Sequence, residues 1–233
     1  MDFSSDISSK IFIVRPDILN SRQPALYIPT PFLFSTLGVA VSRQAAALQH
    51  TFFTMLSSHP SLRAAAGWMF EHYAHVYLSN PTRIPLKAYL PNELNPHHIP
   101  VPAKMIAGST KLKTIQPPHK FYWRPAEPNF KGIDALIRID DIVWALQYTI
   151  SGSHGSATNG LTKVYDAMNH KTGVQWRLVI AGPELRAAES VRDSQGLENP
   201  WTGTPVYACE LPLGIFTEDD EQRLRDILNE VST

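Results

Sequence analysis

The chain has 233 residues, of which 43% are hydrophobic and 18% charged, so it is an ordinary globular sequence that is long enough to bury a core. Lysine plus arginine and aspartate plus glutamate each number 21, and this zero net charge argues against a dedicated DNA-binding protein, which carries a broad basic field. The single cysteine, Cys209, excludes an intramolecular disulfide and a multi-cysteine zinc site, and it suits a reducing compartment.

The start of the chain carries no targeting signal that we recognise. Residues 1–10 are polar and acidic and predict a flexible start, without the basic and apolar regions of a signal peptide. No run reaches the ~18 apolar residues of a membrane span, and the apolar residues 31–40 are broken by Pro31, Thr36 and Gly38. We therefore expect an intracellular protein, cytoplasmic or nuclear, without membrane contact.

Two helices are predicted before residue 80. The first covers residues 42–57, within an N-terminal extension of strand and helix over residues 11–60. The second covers residues 61–78, begins at the N-cap Ser61 and ends before Pro81. Its apolar residues recur every three or four positions and form one stripe: Ala66, Met69, Phe70, Tyr73, Ala74, Tyr77 and Leu78.

Residues 80–128 are rich in proline and predict an irregular connection with one or two short strands, at 84–90 and 120–124. The chain after it alternates in pattern between strand and helix. We predict strands at 133–139, 142–150, 174–180 and 206–211, a tight turn at Asp140-Asp141, and helices at 161–169, 184–191 and 218–231. This order predicts one α/β domain over residues 1–233, with a mixed central sheet flanked by helices.

Three polar residues stand out in the hairpin of residues 133–150. Asp134 lies in an otherwise apolar strand, and Gln147 and Thr149 share one face of the next strand. A two-residue turn makes the strands antiparallel neighbours, so Asp134 comes near Gln147. Burying these groups costs several kcal/mol unless something pairs with them, and the partner is either a metal ion or substrate, or a hydrogen-bond network.

This hairpin resembles the active site of the PD-(D/E)XK (restriction-endonuclease-like) superfamily, in which an acid on one strand is followed by acid-x-lysine on the next. The segment Trp68-Met-Phe-Glu71-His-Tyr-Ala-His75 resembles the first core helix of that superfamily, where a glutamate points at the site. The order of these motifs, with Gln-x-Thr and then His154, is similar to the nuclease-type C-terminal domains of Crinkler and retrotransposon-hot-spot-like effector proteins of fungi and other eukaryotes. The resemblance covers residues 61–182, with the proline-rich segment as an insertion and residues 183–233 as a C-terminal strand and helix.

The resemblance implies a metal-dependent nuclease that acts on DNA or RNA. Asp134, Glu71 and Gln147 would hold Mg²⁺ or Mn²⁺, and Asp134, Gln147, Thr149, Glu71 and His154 would form the catalytic set. Gln147 stands in place of the second acid and Thr149 in place of the lysine, whose charge threonine cannot replace. His154 and Lys131 are two further sources of a proton or a positive charge. The alternative is a catalytically inactive module that binds nucleic acid or a protein partner.

The resemblance also makes a geometric prediction, because the helix of Glu71 and the hairpin of Asp134 are far apart in the chain. Their carboxylates should come within about 10 Å of each other, close enough to share an ion or bridging waters. Each residue also has a structural interpretation: hydrogen bonding for Asp134, a solvated helix carboxylate for Glu71, and a surface histidine for His154.

Other motifs are weaker. His72 and His75 lack the spacing of a zinc helix. The loop of residues 152–160 is rich in glycine and its amides could contact a phosphate, but it lacks the Gly-Lys-Ser/Thr ending of a P-loop.

Overall fold

The computed structural model of the chain describes residues 13–16, 24–27, 53–59, 62–80, 83, 85–102, 104–107, 112, 119–125, 130, 132–168, 173–211 and 213. The chain divides into two compact units. The first comprises Met1–His72 with Leu213–Asp226, and the second comprises Tyr73–Pro212 with Ile227–Thr233.

The described part of the first unit contains a hairpin and helical segments. Strands β1 (Ile13–Pro16) and β2 (Pro24–Tyr27) pair antiparallel, and residues 53–58 are helical. Helix α1 (Arg63–Ser79) begins in this unit, and the boundary between the units falls inside it, after His72. The predicted helix at 61–78 is thus confirmed, whereas most of the predicted helix at 42–57, the apolar segment 31–40 and the predicted helix at 218–231 lie outside the described residues.

The second unit contains a mixed sheet of eight strands in the order β4-β3-β10-β9-β8-β7-β6-β5. The strands are β3 (Lys87–Tyr89), β4 (His97–His98), β5 (Lys104–Ala107), β6 (Lys120–Arg124), β7 (Ala135–Ile139), β8 (Ile142–Tyr148), β9 (Gln175–Gly182) and β10 (Val206–Glu210). Strands β6, β7 and β8 are antiparallel neighbours, and β8, β9 and β10 run parallel. The predicted α/β class with a mixed sheet is confirmed.

The proline-rich segment is more regular than the sequence indicated. It supplies four strands of the sheet, β3 to β6, where we expected one or two. Strands β4 and β5 form the two edges of the sheet, and β3, β4 and β5 have only three, two and four residues. Prolines such as Pro91, Pro96 and Pro100 fall between these strands, at positions where the missing N–H breaks no strand pairing.

Helices α2 (Thr158–Ala167) and α3 (Leu185–Asp193) follow β8 and β9 and cover one face of the sheet. Their inward side chains join the strand residues of that face in one apolar core: Leu136, Val143, Ala145, Leu161, Val164, Leu178, Ile180, Ala188 and Val191. Alternation along β8 therefore puts Gln147 on this helix-covered face and Tyr148 on the opposite face.

The hairpin that connects β7 to β8 is as predicted. Ile139 pairs with Ile142 across Asp140-Asp141, and Asp140 has a φ of 51°, which aspartate tolerates in tight turns. Arg138 closes the turn through its Nε, which donates to the carbonyl of Asp140 at 2.9 Å. In the described part of the chain, no helix is both long enough and apolar enough to cross a lipid bilayer.

Candidate functional site

Asp134 is placed by the antiparallel pairing of the hairpin. Ala135 pairs with Leu146, so Asp134 comes opposite Gln147 just before β7 begins. The amide of Asp134 donates to the carbonyl of Leu146 at 2.8 Å, and its Oδ2 accepts the amide of Tyr148 at 2.5 Å. One carboxylate oxygen thus continues the ladder of backbone hydrogen bonds one step past the end of β7.

Gln147 is fully buried, and both halves of its amide are paired. Its Nε2 lies 2.7 Å from Nδ1 of His154 and donates to the carbonyl of Gly155 at 3.1 Å. Its Oε1 accepts the Nε2 of Gln195 at 2.8 Å. The side chain of Gln147 therefore ties the end of β8 to the loop that follows it and to the segment after α3.

Gln195 is a residue of this site that the sequence did not point to. It lies just beyond α3, donates to Gln147, and accepts the amide of Ala157 on its Oε1 at 3.2 Å. A single glutamine in a polar segment carries no periodicity and no motif, so only the tertiary structure reveals its role.

Thr149 makes a local turn. Its hydroxyl donates to the carbonyl of Ser151 at 2.7 Å and accepts the amide of Ser151 at 3.2 Å, while its own amide donates to Ala181 at 2.9 Å. The side chain is 3% exposed. These bonds are those of a serine/threonine turn that ends β8.

His154 lies on the exposed loop of residues 150–157, which joins β8 to α2. Besides its bonds to Gln147 and Gln195, this loop contacts α3 and the segment before β7. The hydroxyl of Ser190 on α3 donates to the carbonyl of Gly152 at 2.9 Å. Gly132, with a φ of 82°, lies against the other end of the loop, where an added Cβ would be 3.0 Å from Cα of Ala157. The structure thus brings Asp134, Gln147 and His154 to one end of the hairpin.

Glu71 is half-buried on α1 and belongs to the first unit, whereas Asp134 belongs to the second. Its predicted approach to within about 10 Å of Asp134 therefore stays a prediction. Lys131 lies outside the described residues.

His75 on α1 takes part in a chain of buried hydrogen bonds. His75 is 1% exposed, and its Nδ1 lies 2.6 Å from the hydroxyl of Tyr122, which in turn lies 2.9 Å from the hydroxyl of Tyr148. These three hydrogen-bonded side chains lie on the sheet face opposite Gln147. Within the described residues, no group of three or more His, Cys, Asp or Glu side chains is placed to hold a metal ion.

The Mg²⁺ or Mn²⁺ ligand set that the resemblance implies stays a prediction, and it would have to include an oxygen of Gln147 that already accepts a hydrogen bond. A hard cation needs the amide oxygen, and that oxygen already accepts the Nε2 of Gln195. Turning the amide around would set its NH₂ group toward Gln195 and its oxygen toward the carbonyl of Gly155, which replaces two hydrogen bonds by two repulsive contacts.

Arg83 and Arg138 are buried arginines that bond to backbone carbonyls. Arg83 donates to the carbonyls of Ile99 at 3.3 Å and Pro100 at 2.7 Å, and burial lowers the pKa of its guanidinium from the ordinary value. Burial also lowers the pKa of Arg138, an effect that Asp141 and Asp140 oppose. Both arginines bond to backbone carbonyls at these positions and so serve the fold.

Comparison with known proteins adds no relative to this description. No protein-family model, no curated protein and no solved structure matches the chain.

Proposed function

We propose that this chain is a nuclease-like interaction module that binds its partner without hydrolysing phosphodiester bonds. The observation that carries the proposal is the pairing of Gln147. The residue in place of the second catalytic acid is fully buried, and its oxygen and nitrogen are bonded to Gln195, His154 and Gly155.

The energetics of this network support a structural role. Moving the oxygen of Gln147 from Gln195 to a metal ion would break their 2.8 Å hydrogen bond and leave the NH₂ of Gln195 with only its 3.4 Å contact to the carbonyl of Gly155, at a cost of about 0.5–1.5 kcal/mol. Thr149, which stands in place of the lysine, has no positive charge to stabilise a developing phosphorane. Its hydroxyl donates a hydrogen bond to the carbonyl of Ser151. The two substituted positions of the motif therefore both stabilise the end of β8.

The partner that we propose is a nucleic acid. The resemblance of the hairpin and of α1 supports this choice, as do the hydrogen-bonding side chains of His154 and Ser153, which are exposed on the loop of residues 150–157. Phosphate oxygens accept hydrogen bonds from such groups. A protein partner is the alternative, and the zero net charge of the chain is compatible with it.

Asp134 supports a second candidate, a weak metal-dependent nuclease. It is a half-buried carboxylate at the start of a strand, directly opposite Gln147, which is the position that the resemblance requires for a metal-binding aspartate. This function needs Glu71 to approach Asp134 and needs Gln147 to release Gln195.

A cleavage assay separates the two candidates. We expect no Mg²⁺- or Mn²⁺-dependent cleavage of single- or double-stranded DNA or RNA by the natural chain. The double variant Gln147→Glu, Thr149→Lys restores the motif and tests whether the rest of the site is competent. Cleavage by the natural chain that disappears in Asp134→Asn would overturn the proposal in favour of the nuclease. Asn is the matched control because its amide oxygen still accepts the amide of Tyr148.

A further inference from the structure

We propose that Gln195, acting through Gln147, holds His154 in the neutral tautomer with its proton on Nε2, so that the site presents a fixed N–H donor to a phosphate oxygen of the partner. The choice of phosphate rests on the proposed function, whereas the tautomer rests on the hydrogen-bond network alone.

The direction of the network is set at one end by the backbone of Ala157. A backbone amide only donates, so the Gln195 atom that lies 3.2 Å from it is the oxygen Oε1. The other end of the Gln195 amide is then Nε2, which only donates. The Gln147 atom 2.8 Å away must therefore be its oxygen.

The backbone of Gly155 sets the same direction from the opposite side. Its carbonyl only accepts, and it lies 3.1 Å from Nε2 of Gln147 and 3.4 Å from Nε2 of Gln195. Reversing either amide would put two oxygens face to face at Gly155, and reversing Gln195 would also put two N–H groups face to face at Ala157. Two independent backbone groups thus agree on one orientation for both glutamines.

The orientation of Gln147 determines the proton position on His154. Its NH₂ group lies 2.7 Å from Nδ1, and an amide nitrogen cannot accept, so Nδ1 is the acceptor. The carbonyl of Gly155, at 3.3 Å from Nδ1, is then a contact between two acceptors and no hydrogen bond. A neutral ring that accepts on Nδ1 carries its hydrogen on Nε2.

The Nε2 side of the ring is available for a ligand. His154 is exposed, and Nε2 has no hydrogen-bond partner among the residues that the structure describes. A fixed N–H donor selects an acceptor, and phosphate oxygens are the acceptors that every nucleotide of a nucleic acid presents, whatever its base. Gln195 touches no ligand in this scheme and is a positioning residue.

Long-range proton–nitrogen NMR of the imidazole rings tests the positioning. Natural His154, identified by its loss in His154→Gln, should show a protonated Nε2 and an unprotonated Nδ1 at pH 8. Because an unconstrained histidine side chain also favours Nε2–H, the decisive variant is Gln195→Glu. Its carboxylate cannot donate, and a charge-assisted hydrogen bond from the NH₂ group of Gln147 to this carboxylate outweighs the bond to the carbonyl of Gly155 that is lost. Gln147 then turns its NH₂ group toward residue 195 and its oxygen toward His154. We expect the Nδ1–H form to rise. An unchanged tautomer in a Gln195→Glu protein with a native spectrum would overturn the inference.

Binding of a fluorescent 20-nucleotide oligonucleotide, single- or double-stranded, tests the donor. Glutamine can place an N–H near the position of Nε2, whereas asparagine reaches only the position of Nδ1. We expect His154→Gln to stay within about threefold of the natural affinity and His154→Asn to lose about tenfold, which is the effect of about 1.4 kcal/mol. His98→Asn is the control, since His98 is an exposed histidine on the edge strand β4, four strands away from β8.

The outcomes of the two experiments are distinguishable. Equal affinities of the natural chain and His154→Asn would overturn the donor role. No binding by the natural chain would overturn the nucleic-acid partner, on which the choice of phosphate depends. The NMR result decides the role of Gln195 in either case.

Discussion

A buried glutamine is costly unless both halves of its amide are paired, and Gln147 meets this condition with three partners from two separate loops. The sequence identified Gln147, Asp134 and Thr149 as polar groups that needed a partner. It left open whether that partner was a metal ion or other protein groups. In the structure, Gln195 and the loop of His154 provide the hydrogen-bond partners of Gln147. Ser151 provides the partner of Thr149.

Cys209 provides a prediction at the scale of one residue. Burial raises the pKa of its thiol to about 12 from 9.0, although Arg83 opposes the rise. At pH 8 the folded chain should therefore hold about a thousandfold less thiolate than the unfolded chain, and thiolate is the reactive form. We expect alkylation by iodoacetamide to be slow in buffer and fast in 8 M urea, as measured by mass spectrometry.

The same pKa shift predicts a pH dependence of stability. Between pH 9 and 12 the unfolded chain has released the thiol proton while the folded chain retains it, so stability must fall as the pH rises through this window. Cys209→Ala is the control, because other groups also titrate there. From pH 8.5 to pH 10.5, the unfolding free energy of the natural chain should fall relative to that of Cys209→Ala. A constant difference, or equal alkylation rates with and without urea, would contradict the burial of this thiol.

At the scale of the elements, the site depends on the close approach of the start of β7 to the loop before α2. Gly132 makes this approach: an added Cβ would lie 3.0 Å from Cα of Ala157 and 3.1 Å from the carbonyl oxygen of Ser156. A backbone atom cannot move aside as the end of a flexible side chain can. Gly132 therefore keeps Asp134 and the loop of His154 next to each other.

We predict that Gly132→Ala destabilises the fold more than Gly173→Ala. Both glycines have a positive φ, of 82° and 80°, so each alanine incurs a backbone cost of roughly 1–2 kcal/mol. Only Gly132 has backbone within 4 Å of the new Cβ, whereas Gly173 has nothing there. Overpacking at Gly132 should add about 1–3 kcal/mol.

Urea unfolding of the two variants measures this difference. The midpoint should be lower for Gly132→Ala than for Gly173→Ala, with the same dependence on urea concentration. Equal midpoints would show that the loop can move away from β7. The close contact would then have no part in holding the site together.

At the scale of the whole molecule, metal binding would appear as a shift of the unfolding transition. A ligand at 100 times its Kd, bound only by the folded chain, adds about 2.7 kcal/mol. For a chain of this size such a gain raises Tm by roughly 5–10 °C. Because a hydrogen bond from Gln195 holds the oxygen of Gln147 in its present position, we expect Mg²⁺ or Mn²⁺ at 5 mM to change Tm of the EDTA-treated protein by less than about 1 °C.

Asp134→Asn is the control for this measurement. A metal-dependent rise in Tm that is present in the natural chain and absent in Asp134→Asn would favour the nuclease candidate. Such a result would also require Glu71 or another oxygen donor near Asp134. A rise that survives Asp134→Asn would instead indicate metal binding elsewhere in the chain.

Local pattern determined much of this protein. Alternating apolar residues predicted β7 and β8, the Asp140-Asp141 pair predicted the turn between them, and the three-and-four spacing of apolar residues predicted α1. These features depend on residues a few positions apart, and such local spacing can be seen directly in the sequence. The convergence of Asp134 and Gln147 followed from the same pairing rule.

Only the tertiary structure showed which remote segments of the chain come together. In the proline-rich segment the predicted strands at 84–90 and 120–124 are confirmed as β3 and β6, but β4 and β5 were not predicted. Such short strands are held by neighbours that local pattern does not show, as β3 is held by β10, which lies more than 100 residues later in the chain. Gln195 joined the site, although 48 residues separate it from Gln147. The choice between a metal ligand and a hydrogen-bond partner at Gln147 depends on which groups reach its oxygen. That is a distance between remote segments, set by the packing of α3 against β9 and β10, and no local periodicity encodes it.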